Sequence, residues 1–330
     1  MAGKPGGERT TAESGQTTSR APAGGTFAHL LSAGQFAVTA EIGPPRGADL
    51  APVTEKAALL RGWVDAVNIT DNQGAAVRLS SLAGSVAAAR AGVEPIMQLT
   101  CRDRNRIALQ SELLSAAALG IPNVVIMTGD HPRHGDHSDA TPVFDLDSSQ
   151  LLRVASTMRD EGRLMSGGEL KPPPRWLLGA VENPPGPAAM TDPAQADAAA
   201  RRLASKVDAG AQFVQTQFVF DVPAFAAWMR QLADLGLLER CAILAGVGPV
   251  RSLRALAHMQ RIPGVHIPEQ VADRLTAAGP DGISAEGEKL CAEIIAELAQ
   301  VEGVAGVHVM AIGAESVIPQ ILEQAGLPRR

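Results

Sequence analysis

Two carboxylates at the ends of apolar runs are the residues of most chemical interest in this sequence. Glu41 lies in the run Val38-Thr39-Ala40-Glu41-Ile42, and Asp130 follows the apolar run 124–127 and the pair Thr128-Gly129. Burial without an ionic partner favours the protonated form of a carboxylic acid, which a general acid needs. We therefore interpret Glu41 as a proton donor, with a structural ion pair as the alternative. Asp130 is interpreted as a ligand-binding carboxylate, with a helix N-cap as the alternative.

The segment after Asp130 contains three histidines at intervals of three, His131, His134 and His137, with acidic residues nearby. Imidazole and carboxylate groups are common metal ligands. However, the segment is broken by glycine and proline and has no recognised metal-ligand spacing, so a metal site is disfavoured. A lid or binding loop is the favoured interpretation, in which Arg133, His134 and His137 could bind an anion.

Apolar runs and alanine-rich amphipathic runs alternate from Phe27 onward. The predicted strands are 36–42, 64–70, 94–100, 123–128, 176–182, 212–218, 242–247 and 304–311. The predicted helices are 50–61, 75–91, 104–119, 148–161, 193–209, 222–235, 252–261, 268–278, 284–301 and 315–325. Parallel strands need helical crossovers, and closure removes sheet edges. The series therefore predicts an α/β fold, a single (β/α)8 TIM barrel over residues 26–330.

An open doubly wound sheet is the alternative fold. It is disfavoured because no GxGxxG or P-loop sequence follows the first predicted strand. Residues 1–25 are rich in Gly, Ser, Thr, Ala and Pro, and we expect them to form a disordered tail.

Polar residues at the carboxyl ends of the strands predict where a ligand binds, because barrel enzymes carry their active sites at that rim. Six consecutive predicted strands become polar there, with Glu41, then Asn68 and Thr70, Gln98 and Thr100, Thr128 and Asp130, Glu182 and Asn183, and Gln215 and Gln217. This regularity predicts a pocket. For Thr70, Gln98 and Gln215, a purely structural role as hydrogen-bonded interior groups is an equal alternative.

Composition limits the classes of partner. The chain has a net charge of -6 and no basic run, which disfavours nucleic acid and anionic membranes as partners and leaves small ligands or proteins. Its three cysteines, Cys101, Cys241 and Cys291, are far apart, so neither a disulfide framework nor a metal cluster is indicated. We expect reduced thiols in a cytoplasmic protein without a membrane-spanning segment.

The motifs together resemble the methylenetetrahydrofolate reductase family from about Phe36 to the C-terminus. They are Glu41-Ile42-Gly43-Pro44-Pro45-Arg46, Asn68-Ile69-Thr70, Gln98-Leu99-Thr100-Cys101, Thr128-Gly129-Asp130, Lys206-Val207-Asp208-Ala209-Gly210-Ala211 and Thr216-Gln217-Phe218-Val219-Phe220-Asp221. The resemblance implies a flavin-bearing barrel that reduces 5,10-methylenetetrahydrofolate to 5-methyltetrahydrofolate in one-carbon metabolism.

The resemblance also implies roles for individual residues. Glu41 matches the general acid that protonates a nitrogen of the methylene bridge, and Asp130 matches the carboxylate beside the flavin N1 and C2=O. Gln217 matches a folate-binding residue. The cofactor-binding positions correspond to Thr70, Gln98, Thr128, Asp130, His131, Asn183 and Lys206. FAD is the expected flavin, with FMN as the alternative and NAD(P)H as the electron donor.

Several positions depart from the family pattern. The family often has His at the position of Gln98, Tyr at that of Asp71, Arg at that of Thr128 and His near Asn183. Such departures imply weaker flavin binding, a shift to FMN, or dependence on a partner subunit or homo-oligomer. A pterin-dependent methyltransferase-type barrel and a folate-binding homologue with a degenerate flavin site remain alternative functions.

Overall fold

The computed structural model describes residues 25–330 and contains a closed barrel of parallel strands in the order β1 to β8. The strands are β1 Ala37–Ile42, β2 Ala66–Ile69, β3 Pro95–Thr100, β4 Asn123–Met127, β5 Leu177–Glu182, β6 Phe213–Phe218, β7 Ala242–Val247 and β8 Val304–Val309. Strand β8 pairs with β1, with Val38 opposite Val307 and Ala40 opposite Val309, and this pairing closes the barrel. The predicted fold class is confirmed.

Helices surround the barrel, and the first of them covers its amino-terminal end. They are α1 Gly25–Ser32, α2 Ala51–Leu60, α3 Ser81–Arg90, α4 Arg106–Ala118, α5 Ser148–Asp160, α6 Pro187–Thr191, α7 Pro193–Asp208, α8 Val222–Asp234, α9 Leu253–Met259, α10 Glu269–Ala277, α11 Gly279–Leu298 and α12 Ile318–Gln324. The large apolar core lies between these helices and the outward faces of the strands. Among residues 25–330, no helix has both the length and the apolar character needed to cross a membrane.

The predicted helix 75–91 begins later than expected. It is α-helical only from Ser81, because Ser80 caps it by accepting a hydrogen bond from the Ala83 amide at 3.2 Å. Residues Gln73–Ala75 form a short 3-10 turn instead, and Gly74 adopts a φ of 63° inside it. The predicted disorder of residues 1–25 falls on residues outside the described range, except for Gly25, which begins α1.

Helix α1 closes the amino-terminal end of the barrel. Phe27 is fully buried and packs edge-on against Phe213, with ring centroids 5.3 Å apart. Gly179 on β5 leaves space for the Phe213 ring, because a Cβ there would clash with it. A cluster of apolar side chains that includes Val125 lies at this end of the interior and forms a floor beneath the polar layers.

A carboxylate from another part of the chain fixes α1. The Glu94 side chain accepts hydrogen bonds from the backbone amides of Thr26, at 2.7 Å, and Phe27, at 3.2 Å. Asn123 donates to the same carboxylate at 2.7 Å. The first amides of a helix have no partner within it, so Glu94 stabilises the start of α1.

Candidate active site

Glu41 lies near the carboxyl end of β1, with its side chain turned into the barrel and the residue only 7% exposed. Its Oε2 atom accepts a hydrogen bond from the Gln98 amide at 3.2 Å and lies 3.3 Å from His308 Nε2. Among residues 25–330, Oε1 has no hydrogen-bond partner. One carboxyl oxygen is therefore held by the protein, and the other is available to a ligand.

The contacts of His308 define which nitrogen carries the hydrogen. The Gln215 amide nitrogen, which can only donate, lies 3.2 Å from His308 Nδ1. Since the Glu41 carboxylate oxygen 3.3 Å from Nε2 accepts hydrogen bonds, we assign the ring hydrogen of His308 to Nε2, which leaves Nδ1 as an acceptor. The Thr39 hydroxyl, 2.9 Å from Nδ1, completes the surroundings of the ring.

A second amide pair anchors this cluster from the other side of the barrel. Asn68 donates to Gln215 Oε1 at 2.6 Å, and Gln215 donates back to Asn68 Oδ1 at 2.9 Å. Thr39, Asn68, Gln98, Gln215 and His308 are all buried. Closure of the barrel brings β1, β2, β3, β6 and β8 together, and a network satisfied in this way holds its members in one arrangement.

Thr70 and Asp71 follow β2 and differ in how well they are satisfied. Asp71 accepts from the Thr100 amide and hydroxyl, each at 2.9 Å, and forms a two-point ion pair with Arg104. The buried Thr70 hydroxyl has no hydrogen-bond partner among residues 25–330. A buried hydroxyl without a partner is costly, and a bound heterocycle with polar edges could satisfy it. The Thr70 hydroxyl therefore fits a ligand such as a flavin at this rim.

Gln217 lies at an irregular point of the sheet. The register between β6 and β7 shifts between Gln215 and Phe218. Gln217 is half-buried, and its Oε1 atom accepts a hydrogen bond from the Phe218 amide at 3.0 Å. Irregularities of this kind often redirect a side chain near an active site.

The segment after β4 crosses the rim toward the loop after β2. Asp136 accepts from the Val77 amide at 3.2 Å and pairs with Arg46 at 3.5 Å. The Val143 amide donates to the Arg102 carbonyl at 2.9 Å. The segment thus lies over one side of the barrel mouth, and its role as a lid or binding loop stays a prediction.

The predicted site residues on this segment have different surroundings. Asp130 is exposed, and Gly129 before it has a φ of 86°. The His131 ring accepts a hydrogen bond from the Arg133 amide at 3.2 Å. Thr128 is exposed and 3.1 Å from the Ser148 hydroxyl, at the start of α5, so its side chain contacts the helix layer. Among residues 25–330, no group of three or more His, Cys, Asp or Glu side chains could hold a metal ion.

Lys206 and Asn183 lie beside β5. The Lys206 ammonium group donates to the Val181 carbonyl at 2.6 Å and to Glu182 at 2.7 Å. Asn183 is exposed, and its amide lies 3.5 Å from the Pro263 carbonyl. Lys206 therefore fastens α7 to β5 in this structure, and its predicted contact with a cofactor stays a prediction.

Two residues near the mouth were not predicted as site residues. One is His308, and the other is Arg102, which is 3% exposed and binds Asp103 through Nε at 2.7 Å and Nη2 at 2.8 Å. The hydrogen bond to Asp103 and the charges of Asp103, Asp71 and Asp130 hold the pKa of Arg102 above its usual value, against the effect of burial. A histidine in the apolar strand 304–309 was the available signal for His308.

Comparison with known proteins identifies the family of this chain. The family model described as methylenetetrahydrofolate reductase matches residues 26–326. The chain belongs to the methylenetetrahydrofolate reductase family. The family assignment made from the motifs is therefore confirmed.

Relatives within the methylenetetrahydrofolate reductase family are distant. Methylenetetrahydrofolate reductase 1 of Schizosaccharomyces pombe is 24% identical over 237 residues, which are 71% of this chain and 36% of the yeast protein. The 5,10-methylenetetrahydrofolate reductase of Pectobacterium carotovorum is 25% identical over 239 residues, 71% of each chain. The chain thus spans about a third of the length of the fungal relative.

A solved structure shares the fold. An uncharacterized protein from Clostridium thermocellum, described as binding two copies of 5-methyl-5,6,7,8-tetrahydrofolic acid, superposes with a TM-score of 0.63 at 14% identity. The alignment covers 89% of this chain and 97% of that one. At this level of identity, the likeness extends to the barrel fold.

Proposed function

We propose that this member of the methylenetetrahydrofolate reductase family reduces 5,10-methylenetetrahydrofolate to 5-methyltetrahydrofolate with a bound flavin. One observation carries the proposal. Glu41 is a buried acid whose Oε2 atom is held by Gln98 and His308 while Oε1 has no partner among the described residues. This arrangement suits a proton donor that must aim one oxygen at a substrate.

The reaction needs one proton at a defined atom. The product keeps the carbon on N5, so the bond from that carbon to N10 must break, and N10 must receive the proton. Protonated Glu41 would hold this proton on Oε1, because the donors Gln98 and His308 face Oε2. Loss of the proton leaves a carboxylate that the two donors stabilise, which favours transfer to the substrate.

The bound flavin would supply the hydride that completes the reduction of the carbon. We propose FAD, with FMN as the alternative and NAD(P)H as the source of electrons. Thr70 would donate its unpartnered hydroxyl to the ring, and Asp130 would place a carboxylate beside it. Gln98, Thr128, His131, Asn183 and Lys206 remain the proposed surroundings of the cofactor, as the family resemblance implies.

Gln217 is the proposed folate-binding residue. Its Oε1 atom is used by the Phe218 amide, which leaves its side-chain nitrogen to donate to the pterin. The Clostridium thermocellum protein with the same fold is described as binding 5-methyltetrahydrofolic acid. This description supports a reduced folate as the ligand that binds at the barrel mouth.

Substitution of Glu41 by Gln tests the proposed function. The variant keeps the size and hydrogen-bonding capacity of the side chain but has no proton to give, so methylenetetrahydrofolate turnover should fall by about 10²- to 10⁴-fold. Flavin binding and flavin reduction by NAD(P)H should stay within a few-fold of wild type. Stopped-flow absorbance measures the two half-reactions separately.

A matched control is Glu315→Gln, which neutralises another buried glutamate, the partner of Lys56 at 2.8 Å, outside the Glu41 network. This control should retain folate turnover. Equal loss of flavin reduction and folate turnover in Glu41→Gln would mean that Glu41 is structural, and would contradict the proposal.

A folate-binding homologue without flavin chemistry is the second candidate. It is favoured by the contacts of Thr128 with α5 and of Lys206 with Glu182, which engage two predicted cofactor-binding residues within the protein. Absorbance spectra with added FAD or FMN, followed by anaerobic addition of methylenetetrahydrofolate to the reduced protein, separate the candidates. Reoxidation of bound flavin supports the reductase, and folate binding without reoxidation supports the second candidate.

A further inference from the structure

Arg102 is a buried charge at the barrel mouth that the proposed reaction has not used. It follows β3, is 3% exposed, and donates through Nε and Nη2 to Asp103 and through Nη2 to the Asn72 carbonyl at 3.2 Å. A guanidinium group has five N–H donors. Both hydrogens on Nη1 have no hydrogen-bond partner among residues 25–330.

The position of Arg102 places it next to the Gly129-Asp130 turn. A Cβ on Gly129 would lie 3.4 Å from Arg102 Cβ and 3.1 Å from Thr100 Cβ. The Arg102 side chain then crosses from the end of β3 to the loop after β2, where it meets Asn72. The negative charge of Asp130 acts on this guanidinium. A donor and an acceptor thus flank the glycine turn on the rim.

We propose that Arg102 Nη1 and the Asp130 carboxylate together bind the cyclic amide edge of the heterocycle held in the mouth. Such an edge presents a carbonyl oxygen beside a ring N–H, so it needs one donor and one acceptor from the protein. Arg102 supplies the donor to the carbonyl oxygen, and Asp130 accepts from the N–H. The inference rests on the proposed function, since it concerns the ligands of that site.

Two ligands of the proposed reaction carry this edge. The pyrimidine ring of a flavin has N3–H between two carbonyls, and the pterin of a reduced folate has N3–H beside its 4-oxo group. Arg102 also offsets the charge of Asp130, which alone would repel an electron-rich ring. The hydrogen bond from a charged donor in a water-poor site is among the stronger ones, so its loss should be measurable.

Arg102→Met is the main test, with Arg102→Lys beside it. Met keeps the length of the aliphatic side chain but has no hydrogen-bond donors. Lys keeps the positive charge but lacks the planar, forked guanidinium group. Dissociation constants for FMN and FAD come from fluorescence quenching, and those for 5-methyltetrahydrofolate come from calorimetry. We expect Arg102→Met to weaken at least one of these by about ten- to a hundredfold, and Arg102→Lys to weaken it less.

The flavin and folate dissociation constants, compared with each other, show which ligand provides the cyclic amide edge. Loss confined to FMN and FAD assigns the edge to the flavin, whereas loss confined to 5-methyltetrahydrofolate assigns it to the pterin. Asp130→Asn should weaken the same ligand. The double variant should lose less than the sum of the two single losses, because the two groups bind one edge.

Asp103→Asn is the control for disorder of the rim. The side-chain oxygen of the introduced amide can still accept from Arg102 and the donors of Nη1 are unchanged, so ligand affinity should fall less than in Arg102→Met. Thermal melts identify any variant that fails to fold. Unchanged affinities in a folded Arg102→Met would overturn the inference. Failure of the wild-type protein to bind FMN, FAD or folate would overturn the proposed function as well.

Discussion

The two oxygens of Glu41 have different surroundings, and this difference is the main chemical feature of the molecule at the scale of single residues. Gln98 and His308 both approach Oε2, while Oε1 is left without a protein partner in the described chain. The orientation of the acid is thus set before a substrate arrives. His308 is in turn oriented by Thr39 and Gln215. The orientation of the Glu41 side chain therefore depends on contacts from three other strands, β3, β6 and β8.

Removal of His308 tests this dependence. His308→Ala takes away one of the two donors to Glu41 Oε2, and we expect kcat for folate reduction to fall by about ten- to a hundredfold, the effect of one hydrogen bond to a charged group. KM for the folate should change little, because His308 orients Glu41 without itself being proposed to touch the ligand. Steady-state kinetics separate kcat from KM.

His308→Gln is the conservative variant and should recover part of kcat, since its amide nitrogen can donate to Glu41. Thr39→Val, which removes a neighbour of His308 Nδ1, should have a smaller effect. A rise in KM with unchanged kcat would instead place His308 in substrate binding.

Some candidate site residues could be proposed from the sequence, and others could not. A carboxylate in an apolar strand is unusual, so Glu41 could be proposed as a site residue from its neighbours alone. His308 is equally unusual in its strand, but its importance comes from β8 closing against β1, which no local pattern records. Arg102 lies among Arg104 and Arg106 in one polar segment, and the sequence does not distinguish the buried arginine from its neighbours.

At the scale of elements, the strands were predicted well because each is a short apolar run bounded by turn residues. All eight predicted strands are present, and the largest differences are at their ends, as for β2, which is Ala66–Ile69 rather than 64–70. Helix α1 was not predicted. Its eight residues are too few to be stable alone, and it depends on the Glu94 side chain and on the barrel floor.

Phe27→Ala tests whether α1 is part of the folded core. Phe27 is fully buried against Phe213, so its truncation should reduce the free energy of unfolding by about 3–5 kcal/mol. Denaturant titration measures this value. The exposed Leu59, on α2, offers a control, and Leu59→Ala should change stability by roughly 0.5 kcal/mol or less. Similar small effects for both variants would mean that α1 does not hold the floor in place.

At the scale of the whole molecule, the alternation of short apolar runs with longer amphipathic runs predicted the closed barrel. Apolar runs with helical runs between them require parallel strands, and a series of eight closes on itself. The rim could also be predicted, because its location follows from strand direction. The partners within the rim could not, since Glu41 with His308 and Asn68 with Gln215 join residues from distant parts of the chain.

The cysteines report on the integrity of the whole fold. Cys101, Cys241 and Cys291 are buried, and burial raises the pKa of each thiol to about 12. Since the thiolate is the reactive form, a disulfide reagent at neutral pH should label none of them in the native protein and all three in denaturant. Rapid labelling of the native protein at any of these positions would contradict this packing.

The same pKa shifts predict the effect of alkaline pH on stability. Unfolded thiols ionise near their ordinary pKa of 9, and folded ones stay protonated to about 12. The unfolded state therefore binds fewer protons in this interval. Consequently, the free energy of unfolding should decrease as pH rises from about 9 toward 12.

The floor of the barrel also constrains the order in which the chain can assemble during translation. Phe27 leaves the ribosome early, but its partner Phe213 lies in β6 and the capping Glu94 lies just before β3. Helix α1 therefore has no docking site until most of the barrel has been synthesised. The apolar face of α1 is therefore exposed during that period. The nascent chain has a hydrophobic surface that a chaperone could cover until β6 has been synthesised.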